Sequence, residues 1–412
     1  MTNPEPPVAL YVHLPFCVAR CPYCDFTVYA GGDARGPRAR TERLYEAVGL
    51  ELQLRADALD ARFGPPGTDP AAGSRPSLRS VYFGGGTPSL VPPERLVAFL
   101  DTIRGRYGIA PGAEVTLEAN PGLDERGDVA AFRRAGVTRV SFGAQRMDAP
   151  ELRRLGRRHS PQDVATAVAV ARAAGIGSIN LDLLYEVPGQ SIARWEATLR
   201  AALVLEPDHL SLYALTLDDP DAEGITGQAG DHLPTPPGAR RWRERARLDQ
   251  DDDRAADQYL LATDLLAAEG WRGYEISNWS RPGHESRHNL TYWRREPYEA
   301  VGPGAHAFDG GVRRWNAAAM EPYISALQSA SLPPGGQESI TPEVAAAERV
   351  ILALRLDEGV PAAEATQPPL SNVSAWAQSA GLLEPAIVGG EPRFRLTTRG
   401  RLLSNEVFAR LI

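Results

Sequence analysis

Cys17, Cys21 and Cys24 are the only cysteines among 412 residues, and they fall within eight positions. An odd number of thiols so closely spaced makes a poor disulfide framework, and a reducing compartment keeps such thiols free. Three thiolates spaced Cys-x3-Cys-x2-Cys can hold one corner of a cubane, each on a different iron, and leave the fourth iron open to a small molecule. A structural zinc normally takes four ligands, often as two separated pairs. His13 could complete such a set, but as a strand residue it is expected to pack near the loop. The spacing therefore predicts a 4Fe-4S cluster. A second signal is Gly84-Gly85-Gly86-Thr87-Pro88. Glycines let a backbone approach a ligand closely, and the exposed N–H and C=O groups can grip an ammonium or a carboxylate. A tight strand-to-helix turn has the same look. The string gains weight from its place one βα unit after the cysteines.

The elements that must position these residues are legible as alternating patterns. Short runs rich in Val, Ile, Leu and Tyr predict strands over 9–13, 80–83, 114–119, 139–142, 178–184 and 209–217. Amphipathic stretches lie between them, near 41–62, 93–106, 124–135, 161–174 and 191–205. Strand, helix, strand at this spacing marks parallel βαβ units. Six units make an open barrel instead of the eight of a closed one. The expected class is α/β, a partial (β/α)6 barrel over 1–225. A linker and a His- and aromatic-rich region follow over 226–320, and then a mainly helical, winged-helix-like module over 321–412 with a hairpin near 386–396. The stretch 218–237, with basic 240–247 and acidic 249–253 after it, reads as a solvated insertion and the start of a helix; a further helix is expected over 259–269. In a parallel barrel, ligand groups gather at the carboxyl ends of the strands. Cys17, Gly84, Glu118, Gln145, Asp182 and Ala214 all lie at or near such ends. Thr116, Glu118 and Asn120 share one strand face, so Glu118 can point into the barrel.

Composition narrows the function. Hydrophobic residues make up 43% and charged residues 23%, ordinary for a globular chain. The 44 Lys plus Arg against 52 Asp plus Glu give a net charge of -8, which argues against nucleic acid as a partner. Residues 1–7 are polar and proline-rich, and no apolar run approaches the length of a membrane span. The expected compartment is the cytoplasm.

The three-cysteine loop with Gly84–Pro88 resembles the radical S-adenosylmethionine (SAM) superfamily. Further strings narrow the resemblance: Tyr11-x-His13-x-Pro15-Phe16-Cys17, Glu118-x-Asn120-Pro121, Ser141-Phe142-Gly143-Ala144-Gln145, Asn180-Leu181-Asp182-Leu183 with Pro188-Gly189-Gln190, and His209-Leu210-Ser211-Leu212-Tyr213. Together they are similar to the oxygen-independent coproporphyrinogen III oxidase family, from about Val8 to Ile412. The resemblance implies a 4Fe-4S cluster and SAM as cofactors. It implies that Gly85, Gly86 and Thr87 hold the methionine part of SAM. Glu118, Gln145, Arg157 and Asp182 match SAM-binding positions, with Asp182 suited to a ribose hydroxyl. Ala214 matches a backbone contact on the adenine side, Tyr23 packs beside the cluster, and Tyr11 belongs to the same set.

The family has two branches, oxidases that decarboxylate coproporphyrinogen III to protoporphyrinogen IX and HemW-type haem chaperones. Oxidases carry a further cysteine two positions after the third ligand, where this chain has Phe26, and a long N-terminal segment, where only 16 residues precede Cys17. His288-Asn289-Leu290-Thr291-Tyr292-Trp293 is the H-N-x-x-Y-W string typical of the chaperone branch. The resemblance thus implies a chaperone that binds haem and passes it to an acceptor haemoprotein; the oxidase is the alternative. His288 is the first candidate for a haem ligand, with Tyr292 and Trp293 lining a flat apolar pocket, and His306 and His284 follow. Some relatives have a cysteine in place of Ser286, so a thiolate ligand there is excluded. The remaining expected partners are a low-potential electron donor such as a flavodoxin or ferredoxin, and a peripheral membrane contact.

Overall fold

The computed structural model describes residues 4–31, 39–67, 73–217, 224–227 and 229–412. Part of the expected insertion, 218–223 and 228, lies outside the described residues. Six parallel strands stand side by side in chain order: Ala9–Leu14, Leu78–Gly85, Ile109–Ala119, Arg139–Gln145, Ser178–Tyr185 and His209–Ala214. The main crossover helices are Ala39–Phe63, Pro93–Arg106, Val129–Ala135, Pro161–Ala173 and Ile192–Leu203. Local chemistry sets their starts. Pro161 opens one helix under a capping box between Ser160 and Asp163. The helix expected from 124 begins only at Val129, because the Asp128 carboxylate caps it by accepting from the Ala131 N–H at 2.8 Å. The helix expected over 259–269 runs Asp252–Ala268; Asp251, within the acidic run, is its cap.

The barrel strands alternate in an inverted sense. Val12, Phe83, Leu117, Phe142, Leu181 and Leu212 are all buried and pack with helix residues such as Leu44, Leu96, Leu100 and Trp195 in one apolar cluster. The other face, with Tyr82, Glu118, Ser141, Asn180, Asp182 and Ser211, lines an internal cavity. A barrel closed for stability alone is filled with branched apolar side chains. A polar interior is unfavourable unless each group finds a partner or a ligand.

The sheet does not end at six strands. Tyr298–Val301 pairs in parallel beside the first barrel strand (Val12 opposite Val301), and His306–Phe308, Val312–Asn316 and Gly335–Ser339 continue antiparallel, while Asn278–Ser280 and Arg272–Gly273 extend the sixth strand's edge. Residues 270–316 thus supply strands to both edges of the open barrel. Between them runs the helix Arg287–Trp293, capped by the Ser286 hydroxyl. Toward the C-terminus, the three-stranded sheet of Val360–Pro361, Leu383–Val388 and Glu391–Leu396 packs with four helices around Leu354, Leu370, Val373, Leu396 and Val407. Among the described residues, no helix is long and apolar enough to cross a membrane.

Candidate functional site

A cavity of about 380 Å³ opens at the carboxyl ends of the six strands, with Cys17, Cys21 and Cys24 on its rim. The first strand runs into the cysteine loop, and the glycine string packs beneath it. Gly86 N–H donates to Leu14 O at 2.9 Å and Thr87 N–H to Phe16 O at 2.8 Å. A Cβ on Gly86 would meet Phe16 O at 2.6 Å, so only glycine lets the two backbones touch. Gly85 adopts φ 111°, and a side chain there would strike the His13 ring.

All three thiols are free, and none is exposed. Burial pushes the Cys17 thiol up to about 11 and the Cys24 thiol up to about 12, so binding iron must release their protons. Among the described residues, no three His, Cys, Asp or Glu side chains converge on a single-ion position. All three cysteines line the cavity, a set that fits a cluster corner with each thiolate on its own iron. His13 does not join them: its Nε2–H donates to Thr27 O at 2.9 Å, and its Nδ1 accepts from the Tyr11 hydroxyl at 3.0 Å.

Charged groups meet around the cavity. Glu118 accepts from the Tyr82 hydroxyl at 2.8 Å and from Gly85 N–H at 3.0 Å. Burial raises its carboxyl from 4.5 to about 7, with the nearby Asp182 adding to the shift and both hydrogen bonds opposing it. Asp182 accepts from Ser141 at 3.0 Å and Asn180 at 2.7 Å, and burial raises its pKa as well. Arg157 donates to Gly143 O at 2.7 Å, to Asn120, and to Cys21 Sγ at 3.5 Å. Arg157 thus turns into the cavity, although it follows directly on the basic end of the helix Ala149–Arg154. A register shift after Phe142 sets Gln145 at φ 62°, the left-handed region that non-glycine residues seldom occupy, and aims it at the cavity. Ala214 and Tyr23 line the same space, and Tyr23 leans on Trp242 with ring centroids 6.4 Å apart.

Some residues here were not singled out from the sequence. Arg139 is 3% exposed and lines the cavity, with an Nε that has no hydrogen-bond partner. An orphaned buried donor on a cavity wall fits a space meant to hold a polar molecule. The signal was the alternation Arg-x-Ser in the fourth strand. Arg243, from the helix Pro237–Arg247, reaches across 220 positions to hold the cysteine loop. It donates to Tyr23 O at 2.7 Å and Pro22 O at 3.2 Å, and pairs with Asp25. Arg243→Met should leave both carbonyls short of a donor, costing about 1–3 kcal/mol. The expected result is several-fold lower iron retention after air exposure, measured by chelator release, with the barrel still folded.

Two of the residues singled out from the sequence lie apart from the cysteine-rimmed cavity. Tyr11 does not line the cysteine-rimmed cavity; it faces a neighbouring cleft and donates to His13. His288 is 1% exposed inside the barrel wall. Its Nδ1 lies 3.0 Å from Ser80 Oγ and its Nε2 2.8 Å from the Tyr292 hydroxyl, so neither nitrogen is left for iron. Burial lowers its pKa to about 3, and the ring is neutral. His288→Ala removes two buried hydrogen bonds and opens a void. About 2–4 kcal/mol of stability should be lost, read as a fall in Tm. His306 lies on the neighbouring cleft, and His284 lines neither space.

The fold is that of radical SAM proteins. A sequence profile of the Radical SAM superfamily matches residues 71–202. The crystal structure described as coproporphyrinogen III oxidase (HemN) from Escherichia coli overlays with a TM-score of 0.77 at 20% identity, covering 99% of this chain and 91% of that one. More specific are whole-chain relatives. Heme chaperone HemW of Mycobacterium tuberculosis is 38% identical over 409 residues, 99% of this chain and 96% of that protein. Heme chaperone HemW of Bacillus subtilis is 30% identical, with 97% of each chain covered. The chain belongs to the HemW family.

Proposed function

We propose that the chain is a haem chaperone, which binds haem and hands it to an acceptor haemoprotein. A 4Fe-4S cluster would sit on Cys17, Cys21 and Cys24, and SAM in the barrel cavity. The observation that carries this reading is kinship with heme chaperones along almost the entire chain. Phe26, where the oxidases are expected to have a further cysteine, supports it.

The donor set suits SAM at each end. The Glu118 carboxylate would take the ammonium and the Arg157 guanidinium the carboxylate, while the turn at Gly85–Thr87 would lie against the methionine backbone. Asp182, fixed by Ser141 and Asn180, would accept from ribose hydroxyls. When bound beside a reduced cluster, SAM supplies one-electron cleavage chemistry. The residues themselves orient the molecule and exclude water. An acidic donor such as a flavodoxin or ferredoxin would approach over the helix Pro237–Arg247, where Arg241 and Arg245 are exposed next to the cysteine loop. Three free thiols suit a reducing interior, so the compartment we assign is the cytoplasm.

The test pairs two assays on the anaerobically reconstituted protein. Optical titration with haem should saturate at a fixed stoichiometry, and coproporphyrinogen III with SAM and a reductant should give no catalytic protoporphyrinogen IX. Multiple turnovers of decarboxylation would overturn the reading in favour of an oxidase.

A further inference from the structure

Arg139 stands on the inner face of the fourth strand, between the strand that carries Glu118 and the strand that carries Asp182. Its register neighbours are Thr116 and Ser178, while Ser141, the next inward residue of its strand, lies opposite Glu118 on one side and Asn180 on the other. Glu118 is therefore one inward step above Arg139, a rise of about 6.6 Å that an arginine side chain can climb. Asp182 starts one step higher still, but its carboxylate bonds Ser141 and Asn180 and so hangs at the level of Glu118. All three side chains line the same cavity. A buried guanidinium whose Nε has no hydrogen-bond partner is unfavourable unless charge of opposite sign lies close.

The other titratable groups around these three do not supply that charge. Burial lowers His209 and His288, so both rings are neutral near pH 7. Tyr82, Tyr213 and Tyr274 are phenols and stay neutral as well. Glu114 is spent on the backbone N–H groups of Arg287 and His288, each at 3.1 Å. Glu275 accepts from Ser277 N–H at 3.1 Å and from the Asn278 amide. Arg157, a second cation of the cavity, is turned to Gly143, Asn120 and Cys21. Glu118 and Asp182 are left to answer Arg139. Burial pushes both carboxyls up, and Arg139 is among the groups that oppose the push. Two carboxyl groups in one dry cavity resist ionising together, and a cation between them relieves that conflict.

We propose that Arg139 is a positioning residue for SAM, a buried cation that lets Glu118 and Asp182 stand ionised at once and so meet the ligand's ammonium and its ribose hydroxyls together. The inference rests on the SAM site proposed above. Arg139 acts through the two acids and not by touching the ligand. Its effect is therefore written in protons: without the cation, SAM must drive a carboxyl proton out of the cavity before both acids can face it.

The experiment compares the anaerobically reconstituted full chain with Arg139→Met, Arg139→Gln and Arg139→Lys. Calorimetry of SAM binding at pH 7 in two buffers of different ionisation enthalpy reads affinity and proton release together. Both neutral variants should bind SAM about threefold to tenfold more weakly and release more protons per SAM than wild type. Arg139→Gln guards against a packing defect peculiar to methionine, and Arg139→Lys, which keeps a cation, should bring both readings back toward wild type. Without SAM, the fall of Tm with pH that Glu118 causes should run on above pH 7 in the neutral variants. An affinity loss with the wild-type proton count would make Arg139 a mere packing group and overturn the inference. Wild-type affinity, proton release and pH dependence of Tm in both neutral variants would overturn it too. Absence of SAM binding by the wild-type chain would instead remove the proposed SAM site, and this inference with it.

Discussion

Cys21→Ser should abolish the iron–sulfur cluster and leave the fold standing. A serine hydroxyl is not deprotonated near neutral pH and is a far poorer partner for iron than a thiolate, so two thiolates cannot hold the cubane corner. The loss should be nearly complete in labile iron and sulfide, and SAM affinity should fall with it, since in the proposed site an open iron would anchor the methionine end. The fold is expected to persist because the apolar cluster of the barrel contains none of the three cysteines. Circular dichroism and Tm close to wild type, together with the loss of iron, are the expected pair of results. Retention of full labile iron would show that the ligand assignment is wrong.

The second large effect concerns Glu118, whose carboxyl is raised by burial from 4.5 to about 7. A raised acid pKa means that the folded chain holds this proton more tightly than the unfolded chain. Stability from this group is therefore full below about pH 4.5 and is lost as pH rises to about 7, with a slope of up to about 1.4 kcal/mol per pH unit. Above that window it is flat. SAM follows the opposite sign, because its ammonium needs the ionised carboxylate. Affinity should rise with pH to about 7, and binding below that pH should release a proton. Glu118→Gln separates the two effects. The SAM-free variant should lose that part of the pH dependence of Tm, while SAM binds about 10–100-fold more weakly with little pH dependence. Calorimetry in two buffers of different ionisation enthalpy checks the proton release. SAM affinity in the variant equal to wild type would remove Glu118 from the site.

The six strands and the cysteine loop were legible because both are local. Alternation of period two marks a strand wherever it lies, and thiol spacing needs no partner elsewhere. The same alternation could not say which face is inside. Ser80, Tyr82, Arg139, Ser141 and Asn180 read as solvent-facing by ordinary rules, yet they turn inward, and the apolar face turns out to the helices. The added edge strands were not legible for a different reason. Arg272–Gly273, Asn278–Ser280 and His306–Phe308 are two or three residues long, and their pairing is set by the neighbouring sheet. His288 shows the limit of a motif. The string marks where a family-specific segment lies, but burial against Ser80 depends on a contact 208 positions away. Arg243 illustrates the same limit, since nothing near residue 243 shows that it will hold the loop at residues 22–25.

Haem transfer tests the proposed function most directly. The haem-loaded, cluster-containing chain would be mixed with an apo-haemoprotein in excess and the two separated, with the Soret absorbance of each followed over time. A chaperone loses its haem to the acceptor faster than free haem would be captured after spontaneous release, and it emerges intact and able to reload. Haem that stays on the chain, or that leaves at a rate independent of acceptor concentration, would contradict the proposed function.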